Sequence, residues 1–136
     1  MRYLAIDYGA KRSGFAVCDR NETIASPLTV IQGQKQLLKK IADIVSAENI
    51  DAIVLGLPLN MDDSEGPQAR VVLGFAAKLK EHLDIPVHLQ DERLTSFGAE
   101  EKLACAELTR EKRKKRLDAV AAAQILEAFL EQKAAK

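Results

Sequence analysis

Acidic side chains stand at three places in this sequence where they could do chemistry. Asp7 closes the apolar run Tyr3-Leu4-Ala5-Ile6, just ahead of Gly9. Asp91 and Glu92 directly follow a second short run, Pro86 to Gln90. Asp118 opens an alanine-rich stretch near the C-terminal end. Carboxylates gathered together repel unless a proton or a cation intervenes. An all-oxygen donor set suits Mg²⁺ or Mn²⁺ rather than Zn²⁺, and His82 and His88 are isolated, with no Cys/His cluster beside them. Two such ions about 3.5–4 Å apart can polarise a phosphodiester, activate a water and stabilise the leaving oxygen. Each acid also has a plain structural reading. Asp118 could cap a helix or meet its dipole, and local sequence does not choose between Asp91 and Glu92.

Cations lie beside two of these acids. The segment Asp7-Tyr8-Gly9-Ala10-Lys11-Arg12-Ser13-Gly14 reads as a tight hairpin whose backbone could approach a phosphate while Lys11 or Arg12 neutralises it. The tract Arg110-Glu111-Lys112-Arg113-Lys114-Lys115-Arg116 carries six positive charges against one negative and ends two residues before Asp118. That tract is either a solvated face or a clamp for phosphates, and a clamp would make affinity fall steeply with salt. The segment Leu57 to Pro67, rich in Asp, Asn, Pro and Gly, is long for a strand-to-helix link and falls on the same rim.

The elements that must position these groups follow from periodicity. Tyr3 to Asp7, Gly14 to Asp19 and Thr23 to Ile31 read as strands joined by short turns, hence as antiparallel hairpins, the third disturbed by Pro27. Helical spacing predicts a helix over Gln34 to Glu48 and another from Pro67, with strands at Asp51 to Gly56 and Pro86 to Gln90. A helix is expected from Thr95 or Ser96 to about Glu107, and a last one from Asp118 to about Lys133. The order β-β-β-α-β-α-β-α-α predicts an α/β fold: a mixed five-stranded sheet, three antiparallel strands followed by parallel βα units, with helices on both faces. In such a sheet, groups at the C-terminal ends of parallel strands converge on one crevice. Asp7 and the Asp91-Glu92 pair should share it, and Asp118 joins them if the last helix starts there.

Composition bounds the rest. The 136 residues are one domain's worth, 47% hydrophobic and 29% charged, with 20 basic against 20 acidic side chains. No global field therefore draws the molecule to nucleic acid or membrane. Aromatic residues are 4%, without Trp, which disfavours a sheet that stacks bases on rings. No stretch reads as a signal peptide or a membrane span, and Cys18 and Cys105 are expected to be buried, inert thiols in a reduced cytoplasm.

Four blocks, in order, resemble the YqgF family of RNase H-like proteins, described as pre-16S ribosomal RNA nucleases and as Holliday junction resolvases. They are Asp7 to Gly14; Gly56-Leu57-Pro58-Leu59-Asn60-Met61-Asp62; Asp91-Glu92-Arg93-Leu94-Thr95-Ser96; and the basic run leading to Asp118-Ala119-Val120-Ala121-Ala122-Ala123-Gln124-Ile125-Leu126. The resemblance covers nearly the whole chain. It implies one RNase H-like nuclease domain over residues 1–136, and Asp7, Glu92 and Asp118 as catalytic acids holding divalent metal. Ser13 stands where the family usually has an aliphatic residue, and Asp63 where it usually has Gly.

The expected function is a metal-dependent endonuclease using Mg²⁺ or Mn²⁺, with two ions expected. Phosphates would be positioned by Lys11, Arg12, Arg93, Arg110, Lys112, Arg113, Lys114, Lys115 and Arg116. The expected substrate is structured RNA, a precursor of 16S ribosomal RNA, with ribosomal particles as a further expected partner. Alternatives are a resolvase of branched DNA, which would need a symmetric pair of sites, and a nucleic-acid-binding assembly factor without turnover. The oligomeric state, monomer or homodimer, is left open.

Overall fold

The computed structural model describes residues 1–58, 65–92 and 110–135, and for residues 110–117 the course of the helix alone. The elements are β1 (Tyr3–Asp7), β2 (Arg12–Cys18), β3 (Ala25–Gln32), α1 (Leu37–Ala47), β4 (Ala52–Leu57), α2 (Pro67–His82), β5 (Val87–Asp91) and α3 (Arg110–Ala134). The five strands form one sheet in the order β3-β2-β1-β4-β5. β1 pairs antiparallel with β2, and β2 with β3. β1 pairs parallel with β4, and β4 with β5. The mixed sheet predicted from sequence is the one observed.

The two faces of the sheet have different side chains because alternation along a strand sends successive residues to opposite sides. Leu4, Ile6, Phe15, Val17, Ile53 and Leu55 face α1 and α2, and meet Leu37, Ile41, Val72, Phe75 and Leu79 there. These are large groups, and they hold both helices at full side-chain distance. The other face shows Ala5, Ala16, Ala52 and Val54, with Tyr3 and Cys18 farther along. Against it lie Ala122, Ala123, Ile125 and Leu126 of α3. Small residues on both sides bring α3 close to the strands, mainly β1, β2 and β3. Its far end is tied down by Lys133 Nζ, which donates to the Tyr3 hydroxyl at 2.8 Å and to Glu22 Oε1 at 2.6 Å.

Ends and edges follow local chemistry. Pro67 begins α2 at a position where a missing N–H costs nothing, and Lys80 and His82 occupy its last turn, where the dipole favours positive charge. Pro27 lies on β3, an edge strand, beside a register shift between Phe15 and Ala16. A proline is tolerated there because an edge strand has ladder positions with no partner to satisfy. Cys18 is buried, as expected, and its Sγ accepts the Tyr3 N–H at 3.3 Å.

One expectation is corrected. The last helix begins at Arg110 rather than Asp118. Lys and Arg are good helix formers, and no Gly, Pro or capping residue interrupts Arg110 to Leu117, so the helix runs through the basic tract. Asp118 is therefore about two turns inside α3 and cannot be its N-cap. The expected helix from Thr95 or Ser96 to Glu107 lies outside the described residues, as does Cys105. Among the described residues no helix is long and apolar enough to cross a membrane.

The close seat of α3 gives a stability test. Ala16→Leu, in a fully buried position under α3, should destabilise by roughly 1–3 kcal/mol through overpacking. Leu28→Ala, on the exposed edge strand, should change stability by no more than about 0.5 kcal/mol. Urea titrations of the two variants compare them directly.

Candidate active site

Asp7 ends the central strand β1, with four buried residues before it. Its ladder partner on β2 is Gly14. On the other side, β4 carries Gly56 one step past the Ile6–Leu55 pair. Both glycines stand on the α3 face, two residues beyond Ala16 and Val54 respectively. The sheet is thus bare on either side of Asp7.

Each gap is filled by a different element. A Cβ built on Gly14 would overlap the backbone of Asp118, carbonyl oxygen first. Hence Gly14 lets the helix backbone itself rest on β2. A Cβ on Gly56 would lie 2.5 Å from Glu92 Oε1 and 2.6 Å from Ile125 Cδ1. Hence Gly56 makes the space in which the Glu92 side chain lies. Glu92 arrives there because β1, β4 and β5 are parallel and end on one side, and Glu92 directly follows β5. Asp91 pairs with Leu57 in the β4 ladder, so alternation gives Glu92, not Asp91, to the α3 face.

The electrostatics reflect this crowding. The Asp7 and Glu92 carboxyl groups are hydrogen-bonded to each other. Burial first, then the charge of Glu92 and the hydrogen bond to it, then the charge of Asp118, push Asp7 up to about 8. Burial also raises Glu92; the hydrogen bond from Asp7 opposes this and the charge of Asp91 adds to it. Two carboxyls held this close share one proton, with the Asp7 hydroxyl donating to the Glu92 carboxylate. Asp118 is held differently. Its Oδ2 accepts from Arg12 Nε at 2.6 Å, and each side chain is little more than a quarter exposed.

The hairpin ahead of Arg12 is anchored from several sides. The Gly9 N–H donates to Ser13 Oγ at 3.3 Å, and the Gly33 N–H donates to the Lys11 carbonyl at 2.7 Å. Ser13 is fully buried. Tyr8 stacks on Phe75 with ring centroids 4.0 Å apart. Lys11 is exposed at the tip.

Of the groups expected from sequence, Asp7, Glu92, Asp118 and Arg12 come together, and Lys11 stands on the same hairpin. Arg110, Lys112, Arg113, Lys114, Lys115 and Arg116 lie on the first two turns of α3, leading into Asp118. Arg93 and residues 59–64 of the rim segment lie outside the described residues. The carboxylates are hard oxygen donors, and a pair forced to share a proton fits a divalent cation in the proton's place. Among the described residues no three ligating side chains already converge on one point, since Asp118 is turned to Arg12. Sequence reading missed the part played by Gly14 and Gly56. Their signal was present, because glycine inside a strand marks a close approach by other atoms.

Two measurements test this geometry. Gly14→Ala should cost about 1–3 kcal/mol in urea unfolding, because backbone must move to admit one methyl. The second is pH. Between the ordinary aspartate value of 3.8 and about 8, folded protein keeps a proton on Asp7 that unfolded protein has lost. Stability of metal-free protein should therefore fall as pH rises through that window, by at most about 1.4 kcal/mol per unit for one proton. Asp7→Asn should flatten this slope in unfolding curves recorded in EDTA from pH 5 to 8.

A family model described as "RuvX: Holliday junction resolvase" matches residues 1–132. A Maridesulfovibrio salexigens protein named "Putative pre-16S rRNA nuclease" is 41% identical over 132 residues, spanning 96% of this chain and 98% of its own. One of the same name from Geobacillus kaustophilus is 40% identical over 137 residues, spanning 98% and 99%. Among solved structures, Thermus thermophilus RuvC in complex with a Holliday junction substrate superposes with a TM-score of 0.62 at 14% identity, covering 98% of this chain and 96% of that one. That likeness shows the fold, an RNase H-like α/β architecture.

Proposed function

The chain belongs to the RuvX family, and on that premise we propose that it is a divalent-metal-dependent endonuclease acting on structured RNA, the precursor of 16S ribosomal RNA. The observation that carries the reading is the Asp7–Glu92 carboxyl pair, half-buried at a strand end with Asp118 beside it. A bare fold gains nothing from two carboxyls that must share a proton, whereas a cation site gains its donor set. The relatives at about 40% identity, matched over nearly their full length, carry the ribosomal RNA name and favour RNA over branched DNA.

Asp7, Glu92 and Asp118 would hold Mg²⁺ or Mn²⁺, as one ion or two. Such an ion supplies Lewis-acid polarisation of the phosphodiester and a water acidic enough to ionise near neutral pH. The protein's own groups do the rest. Asp7 would release its shared proton to solvent water, so that both carboxylates of the pair are charged for binding. Partial burial of the pair weakens the screening of its charges by bulk water. Lys11 at the hairpin tip meets backbone phosphate, and the basic turns of α3 continue that contact next to Asp118. Arg93, directly after Glu92 in sequence, is assigned the same task. None of these cations reads base identity, so substrate choice rests on the shape of the RNA.

The test is cleavage of precursor RNA with Mg²⁺ or Mn²⁺. Asp7→Asn, Glu92→Gln and Asp118→Asn should each lower the rate by roughly 100-fold or more, the order lost when a preorganised group at a reacting centre is removed. EDTA should stop the reaction. Cleavage that survives both Asp7→Asn and Asp118→Asn, or that ignores EDTA, overturns the assignment. A non-catalytic assembly factor would instead bind the RNA and leave it whole. Preference for a four-way DNA junction, cut symmetrically by a dimer, would establish the resolvase reading in its place.

A further inference from the structure

The geometry points to Arg12 as a built-in counter-ion that withholds Asp118 from the metal site until a substrate phosphate takes its guanidinium. This inference rests on the metal-dependent reading above. Arg12 stood among the residues expected to meet phosphate, yet in the structure its Nε donates to Asp118 Oδ2 at 2.6 Å. Guanidinium binds carboxylate and phosphate through the same fork of N–H donors, so the two partners are alternatives.

Both backbones are fixed, which leaves the choice to the side chains. Arg12 opens β2 and is paired with Gln32 in the ladder. The hairpin before it is pinned by the Gly9–Ser13 hydrogen bond. The Asp118 backbone rests on Gly14 with no room to slide toward the sheet. Asp118 lies near enough to Asp7 for its charge to be felt there, but its carboxylate is committed to Arg12. The constellation thus has two arrangements. In one, Arg12 neutralises Asp118, and only Asp7 and Glu92 present themselves together. In the other, Arg12 meets a phosphate and Asp118 turns to complete the ligand set.

Coupling of this kind is reciprocal: a phosphate that draws Arg12 away tightens cation binding, and the cation tightens phosphate binding by the same factor. The consequence is a site that assembles fully only on substrate. Free carboxylate triads would collect divalent ions whether or not RNA was present. Here completion of the ligand set by Asp118 waits for the backbone that is to be cut.

The experiment is Mn²⁺ titration of the EDTA-stripped full chain, followed by calorimetry and by the electron paramagnetic resonance signal of free Mn²⁺. Wild type, Arg12→Gln, Arg12→Lys, Asp118→Asn and the Arg12→Gln/Asp118→Asn pair are compared, with and without a non-cleavable 2′-O-methyl RNA oligomer. Arg12→Gln should tighten Mn²⁺ binding about tenfold without RNA, and the oligomer should do the same for wild type. The oligomer should add nothing to Arg12→Gln, and Asp118→Asn should erase the effect of Arg12→Gln. Arg12→Lys, which keeps the charge but loses the fork, should fall between, and it serves alone if Arg12→Gln does not fold. If replacing Arg12 leaves Mn²⁺ binding unchanged or weakens it, Arg12 only props Asp118 and the inference is overturned. If neither wild type nor any variant binds Mn²⁺, with or without oligomer, the metal-dependent reading fails together with it. Loss of RNA cleavage with the Mn²⁺ pattern intact would count against the nuclease reading alone.

Discussion

The close contact between the backbone of α3 and the bare strand at Gly14 is the constraint on which this molecule turns. A helix normally stands off a sheet by the length of the side chains between them, and α1 and α2 do so over Leu, Ile and Phe. On the other face the strands offer Ala5, Ala16 and Ala52, and finally no side chain at all at Gly14. That gradient brings the helix down onto the sheet where β1 ends. Asp118 is carried to Asp7 by a packing relation that involves neither carboxyl. The acids are thus placed by apolar and backbone contacts, and the repulsion between them is met by elements too well packed to give way.

The charges then settle locally. Three carboxyls in a half-buried crevice are untenable as three anions. The protein answers in two ways: one proton is shared by Asp7 and Glu92, and one guanidinium is set against Asp118. Both remedies are replaceable, the first by a cation and the second by movement of a long, adaptable side chain. A well-packed hydrophobic substitute would be at least as stable here. Retention of charge at this position is therefore an argument about use rather than about folding.

Much of this was legible in the residues. The apolar run of Tyr3 to Asp7, the turn at Gly9 and the helical spacing of Leu37, Leu38, Ile41, Ile44 and Val45 specify elements that the structure contains. The parallel crossovers then put Asp7 and the Asp91-Glu92 pair at one end of the sheet. Asp118 was harder, because its neighbourhood depends on where the helix begins. A tract of Lys and Arg looks like a solvated segment, yet their helix propensity carries α3 back to Arg110. The pairing of Arg12 with Asp118, 106 residues apart, leaves no local trace. It exists only once Gly14 has admitted the helix. The two glycines could have been read as spacers, but which atoms fill each gap is decided by tertiary packing.

The unbroken run of α3 from Arg110 to Asp118 has a mechanical consequence. Eight residue steps of helix make a stiff arm about 12 Å long. Its outer end bears the tract of basic residues, while its inner end is clamped to the sheet. A flexible tether would let a captured strand wander past the acids. On the nuclease reading proposed above, a rod would instead impose a fixed offset between a strand held at the basic turns and the acids at Asp118.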